Sequence, residues 1–81
     1  MARRVYVKVE AQFTPEGKVV PLWMEWEDGR KFSIDRIIDI RLAHATKAGG
    51  NGLRYTVDIL GTPKYLFYED ELNRWFVEAR G

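Results

Sequence analysis

The sequence predicts an all-β fold of antiparallel strands, and three observations predict it. Turn-forming residues recur at short intervals, at Pro15-Glu16-Gly17, Asp28-Gly29, Gly49-Gly50-Asn51-Gly52 and Gly61-Thr62-Pro63. The segments between them alternate apolar and polar side chains, the period of a half-buried strand and not of a helix. Three Trp, four Tyr and four Phe among 81 residues give so short a chain side chains large enough to build one core. A single domain, folded as a meander or small barrel of six to seven strands, is the architecture that follows.

The first strand is the clearest. Val5, Val7, Val9, Ala11 and Phe13 alternate with Arg4, Tyr6, Lys8, Glu10 and Gln12, giving one dry face and one wet face. Val20, Leu22, Met24 and Trp26 repeat the pattern, with Trp23, Glu25 and Glu27 on the other side. Phe32 and Ile34 form a third strand, Ile38, Ile40 and Leu42 a fourth, and Leu53, Tyr55, Val57 and Ile59 a fifth. Tyr65 to Tyr68 and Trp75 to Val77 supply the last two, but they are apolar on both faces and pattern alone does not assign their inward side. Residues 43–48 fit either a strand extension or one helical turn, and Asp70-Glu71-Leu72-Asn73 reads as a turn into the final strand.

Turn chemistry suggests the register. Thr14-Pro15-Glu16-Gly17 suits a four-residue loop around a type I turn, which sets Phe13 opposite Lys18, Val9 opposite Leu22 and Val7 opposite Met24. Trp26-Glu27-Asp28-Gly29 suits a type I turn with Gly29 in a left-handed bulge, which sets Met24 opposite Phe32 and Leu22 opposite Ile34. The outer face then pairs Arg4 with Glu27, places Glu25 between Tyr6 and Lys31, and lays Lys8 beside Trp23. Pairing Leu42 with Val57 puts Arg41 opposite Asp58 and Arg54 opposite Ala45. Complementary charges across strands are worth a few tenths of a kcal/mol, up to about 1, so most surface charge reads as structural.

Composition excludes more function than it implies. The absence of cysteine removes disulfides, thiolate metal sites and cysteine nucleophiles, and fits a reducing cytoplasm. No apolar run reaches the roughly 20 residues of a membrane span, and no signal-peptide core follows the initial Met-Ala-Arg-Arg. Thirteen Lys plus Arg against twelve Asp plus Glu give a net charge of +1, without the basic excess of a duplex-DNA binder. His44 is the only histidine and Ser33 the only serine, and neither has partners at catalytic or metal-ligand spacing. Asp35 with Asp39, and the Glu69-Asp70-Glu71 turn, read as solvated carboxylates and not as an acid–base pair. The expectation is a protein that is not an enzyme and needs neither cofactor nor metal.

Two features remain as candidate sites. Lys47, Gly49, Gly50, Gly52 and Arg54 form a glycine-rich hairpin tip bracketed by cations, whose backbone N–H groups suit an anion such as a nucleic-acid phosphate. It lacks the Gly-Lys-Ser/Thr ending of a nucleotide-binding loop, and a plain flexible turn explains the glycines equally. Tyr6, Lys8 and Trp23 form the second, an outer face of exposed aromatics and a base that suits a protein partner or stacked nucleobases, unless another strand covers it.

Trp26-Glu27-Asp28-Gly29-Arg30, Ile34-Asp35-Arg36-Ile37 and Asp39-Ile40-Arg41 resemble the front half of a family of small bacterial proteins of similar length from clostridial-type Gram-positives. Lys47-Ala48-Gly49-Gly50, Gly52-Leu53-Arg54-Tyr55-Thr56 and Arg74-Trp75-Phe76-Val77-Glu78 resemble its back half, so the similarity spans nearly the whole chain. The resemblance implies a small SH3-like barrel and no activity, since none is assigned to that family. An OB-like barrel is the alternative fold. The functional expectation is a cytoplasmic binding or accessory module, first for an unknown protein partner and alternatively for single-stranded nucleic acid at the 47–54 loop.

Overall fold

The computed structural model describes residues 2–44 and 51–80. Seven strands run in chain order: β1 (Ala2–Phe13), β2 (Val19–Glu25), β3 (Lys31–Ser33), β4 (Arg36–His44), β5 (Asn51–Ile59), β6 (Thr62–Glu69) and β7 (Arg74–Arg80). They form one antiparallel sheet in the order β3-β2-β1-β7-β6-β5-β4. The sheet curls into a half-barrel of the small SH3/OB-like kind, with no helix among the described residues. The ends of the order meet at one corner, where Ile34 donates its N–H to the Leu22 carbonyl and Asp35 donates to the Asp58 carbonyl, both at 2.9 Å.

Two hairpins use the same turn. In the β2–β3 hairpin, Gly29 donates to the Trp26 carbonyl at 2.9 Å, Trp26 donates to the Arg30 carbonyl at 2.7 Å, and Gly29 takes φ +88°. That is the bulged type I turn the sequence predicts, and Met24 faces Phe32 as expected. The β1–β2 turn repeats it with Thr14, Lys18 and Gly17 at φ +84°. Thr14 therefore pairs with Lys18, and Phe13 lies opposite Val19, not Lys18. Gly17 closes a three-residue loop, Pro15–Gly17, in place of the four-residue loop, and the register moves by one residue.

A second extra residue follows. Ala11 faces Pro21 and Glu10 faces Trp23, so Leu22 sits in a bulge of β2. Proline has no N–H for a ladder and is tolerated in sheets at such irregularities. Val9 consequently faces Met24, two residues beyond the expected Leu22, and Leu22 leaves the core face for solvent. Glu25 lies between Lys8 and Lys31, not between Tyr6 and Lys31, and Glu10, not Lys8, is Trp23's partner on β1. The ion pair to Glu27 comes from Arg3, at 3.6 Å, in place of Arg4.

The β4–β5 hairpin also slides. Leu42 faces Leu53 instead of Val57, Arg41 faces Arg54 instead of Asp58, and Asp58 pairs with Arg36. The strand runs through Gly52 toward the glycine cluster, so the connection is shorter than expected. Ala43 and His44 continue β4, whereas residues 45–48 lie outside the described residues. Residues 70–73 are a turn, with Asn73 at φ +50°.

The faces of the last strands are now fixed. Leu66, Tyr68, Trp75 and Val77 point inward, and Phe67 and Phe76 point outward. The core gathers Met24, Tyr55, Val57, Ile59, Leu66, Tyr68 and Trp75. Trp75 is its hub, with ring centroids 4.6 Å from Tyr68 and 5.3 Å from Tyr55. The Tyr68 hydroxyl donates to Asn73 Oδ1 at 2.7 Å, and the Tyr55 hydroxyl donates to the Val19 carbonyl across the half-barrel. These bonds let two phenols enter the core without leaving a polar group unpaired. Burial raises both phenol pKa values above the ordinary one, Tyr68 adding to the effect at Tyr55 and Asp70 to that at Tyr68.

Candidate functional site

At one end of the half-barrel the inner face does not close. The β2–β3 hairpin and the β5–β6 hairpin stand on either side of a cleft of about 660 Å³. Its floor is core: Met24, Val57 and Leu66. Trp26 and Phe32 form one wall and Ile59 and Val77 the other, all apolar and held by the pairing that builds the sheet. Arg30 and Lys64 stand at the rim with Glu78. Asp28 engages Arg30 at 2.6 Å, and the Arg30 backbone N–H, 3.0 Å away, is the main cause that holds the Asp28 carboxyl below its usual pKa. Lys64 makes no ion pair among the described residues and is the open charge of the rim.

The rim carries one more unusual residue. Leu60 and Gly61 are the two loop residues between Ile59 and Thr62, at φ +52° and +75°. Positive φ at both positions defines a type I′ turn, which favours Asn-Gly. A leucine there is strained, and this one is 79% exposed at the edge of the cleft. Its N–H donates to Asp35 Oδ2 at 3.1 Å, which ties the turn to the β3–β4 corner.

The outer face is a different surface. Tyr6, Phe76 and Phe67 lie in one cross-strand row that continues to Arg54 and Arg41. Phe67 stacks on Phe76 at 4.9 Å and 5°, and Tyr6 meets Phe76 edge-on at 5.7 Å. Arginines roof the row: Arg4 over Phe76 at 4.6 Å, Arg74 over Tyr6 at 4.2 Å and Arg54 over Tyr65 at 4.6 Å. Each such contact is worth about 0.5–1 kcal/mol where exposed, and together they bury Phe76 on the outside of the sheet. Neither face of β6 and β7 reads as polar because both bury aromatics.

The predicted site residues fall as follows. Tyr6, Lys8 and Trp23 are all on the outer face, but the Lys8–Glu25 pair separates Tyr6 from Trp23, and Lys31 covers Trp23 at 4.9 Å. Gly52 lies inside β5 between Ala43 and Glu69, where an added Cβ meets the Tyr68 carbonyl oxygen at 2.9 Å. Arg54 is half-buried, faces Arg41 and not Ala45, and has a buried Nε without a hydrogen-bond partner. Lys47, Gly49 and Gly50 lie outside the described residues. The cleft carries no pattern of its own in the sequence, because Met24, Phe32 and Val57 occupy core positions of their strands. Leu60 beside Gly61 is the signal that points to it.

Asp39 pairs with Arg41 at 2.7 Å and Asp35 serves Leu60, so these carboxylates are spent on structure, whereas Glu69 is buried 3.9 Å from Arg74 with an Oε1 that has no hydrogen-bond partner among the described residues. Among the described residues no group of three or more His, Cys, Asp or Glu could hold a metal, and no helix is long and apolar enough to cross a membrane. The chain matches no protein-family model, and comparison with curated proteins and with solved structures finds no match.

Proposed function

We propose that the protein is a non-catalytic interaction module that grips a segment of a protein partner in the cleft between the β2–β3 and β5–β6 hairpins. The carrying observation is an open apolar cleft of about 660 Å³ whose rim presents a strained, exposed Leu60. Concave apolar sites with a few polar groups at the edge are the common form of binding site. Strain retained at an exposed apolar residue argues for a use outside the fold. Trp26 is the aromatic anchor, of the type that dominates interface energetics. Lys64 selects a carboxylate, so the preferred segment carries a bulky apolar side chain beside an acidic residue.

Selection from a random peptide library, followed by amide shift titration of the selected peptides, tests the reading. Shifts centred on Trp26, Phe32, Leu60 and Val77, with affinity reduced about tenfold by Lys64→Glu, are expected. Recovery of no binder, or shifts confined to the outer face, refutes it.

A second reading rests on the outer face, where Arg54 faces Arg41 and leaves Nε without a partner. Two arginines beside Tyr65 suit a phosphate and a stacked base of single-stranded nucleic acid. Titration with short oligonucleotides at two salt concentrations separates the two: this reading requires shifts at Arg41, Arg54 and Tyr65 that fade with salt.

A further inference from the structure

β4 ends the strand order, and its outer edge has no partner strand among the described residues. It carries Ile38, Ile40 and Leu42, which are 46%, 43% and 81% exposed. Asp39 and Arg41 alternate with them. Natural edge strands are guarded by charge, by proline or by brevity, because an open edge templates another strand. The opposite edge, β3, is guarded by brevity, with three residues. β4 has nine residues and no proline, its one irregularity is a bulge at Ile38 between the Ile37–Val57 and Asp39–Thr56 pairs, and its two central charges have opposite sign.

The order of side chains on β4 decides what those charges guard against. In antiparallel pairing with a second β4 about a two-fold axis at Ile40, Ile40 meets its own copy, Ile38 meets Leu42, and Asp39 meets Arg41 at both ends. The exposed apolar residues then face apolar ones, and Asp39 and Arg41 each face the opposite charge. A slide that centres the axis on Asp39 or Arg41 sets like charges together. A slide by one residue sets Ile40 against Arg41 and crosses the faces. Parallel in-register pairing also sets like against like. Among pairings centred on Asp39, Ile40 or Arg41, the charges therefore admit only the one on Ile40, where both find their opposites.

We propose that β4 joins β4 of a second copy of this chain, antiparallel and centred on Ile40, making a two-fold dimer with a continuous sheet. The contact is closed by its two-fold axis, so it yields dimers and not fibres. It leaves the cleft open, because no β4 residue lines that cleft. One pair of edge strands buries little area, so the dimer is weak, with a dissociation constant of about 10–100 µM.

Sedimentation velocity from low micromolar to submillimolar protein is the test. The native chain shifts from monomer to dimer over that range. Ile40→Lys, which sets two ammonium groups at the axis, keeps it monomeric. Asp39→Arg and Arg41→Asp each weaken association about tenfold, since each sets like charges together at two symmetric places. The double exchange Asp39→Arg/Arg41→Asp restores it to within about threefold of native, because opposite charges again face each other. Thermal melts establish that each variant is folded. If Ile40→Lys fails to fold, the charge series decides alone. A chain monomeric throughout, a dimer indifferent to these changes, or a double exchange that fails to restore pairing overturns the proposal.

Discussion

Leu60→Asn separates stability from binding at a single position. Leu60 holds φ +52° as the first residue of a type I′ turn, followed by Gly61 at +75°. The left-handed conformation costs an L-residue about 1–2 kcal/mol, and asparagine less than leucine because its short polar side chain bonds locally. The exposed leucine side chain contributes little core packing to lose, and the backbone bond from Leu60 N–H to Asp35 survives the change. The net gain is about 0.5–1 kcal/mol, which for a domain of this size raises Tm by about 2–8 °C. The same substitution removes an apolar side chain from the cleft rim, so a cleft-binding peptide loses affinity by about three- to tenfold. Circular-dichroism melts and a peptide titration read the two effects side by side. A variant less stable than native refutes the turn geometry, and a stabilised variant that binds unchanged refutes Leu60's part in recognition.

Gly52→Ala destabilises by about 1–2 kcal/mol in a urea melt: a Cβ 2.9 Å from the Tyr68 carbonyl oxygen forces two ladders apart, against a gain of about 0.4–1 kcal/mol from a stiffer unfolded chain. Gly29→Ala costs about 1 kcal/mol for a different reason, φ +88° with open space around the added carbon, and an unchanged midpoint would contradict the bulged turn. Alkali weakens the fold. Tyr55 and Tyr68 hold their protons more tightly folded than unfolded, so their contribution is complete below about pH 10 and lost as pH rises through the raised folded values. Melts from pH 8 to 12, with tyrosinate absorbance, should show part of the phenol signal appearing only with unfolding, and simple early ionisation of all four tyrosines would contradict the burial.

How much of this was legible in the sequence follows from what alternation encodes. A period of two assigns each side chain to a face, and those assignments stand for Val7, Val9, Met24, Phe32 and Ile34. It is silent about any slide by an even number of residues, which leaves every face intact. The β4–β5 difference is of that kind, Leu53 replacing Val57 opposite Leu42, and so is Met24 replacing Leu22 opposite Val9. Between the turn and the bulge, however, the slide is one residue, with Val19 replacing Lys18 opposite Phe13. The β2–β3 register came out right because Gly29 names its turn. The β1–β2 register did not, since the bulged turn at Gly17 shortens the loop by one residue and Pro21 marks a bulge that turn counting ignores. Phe13 and Leu22 show the cost, as dry-face residues by pattern that are exposed, while Val19 takes Val20's place against the core.

The candidate site was harder to read for a related reason. Exposed aromatics drew attention to Tyr6 and Trp23, yet arginine and lysine side chains roof the outer face and the aromatics there stabilise the sheet. The cleft uses residues indistinguishable from core in one dimension: Met24 and Val57 are buried, while Trp26 and Phe32 on the adjoining hairpin are only half covered. What separates core from cleft is whether an opposing element reaches across the inner face. β6 and β7 pair only from Phe67–Phe76 to Glu69–Arg74, so Thr62–Leu66 and Val77–Ala79 open the inner face at that end, where β3 spans only Lys31–Ser33. β4 is long and open at the other side of the sheet. The cleft thus lies where β6 and β7 part, and the free edge lies on the side of β4 away from β5. The two are testable apart, since Lys64→Glu touches only the cleft and Asp39→Arg/Arg41→Asp only the edge.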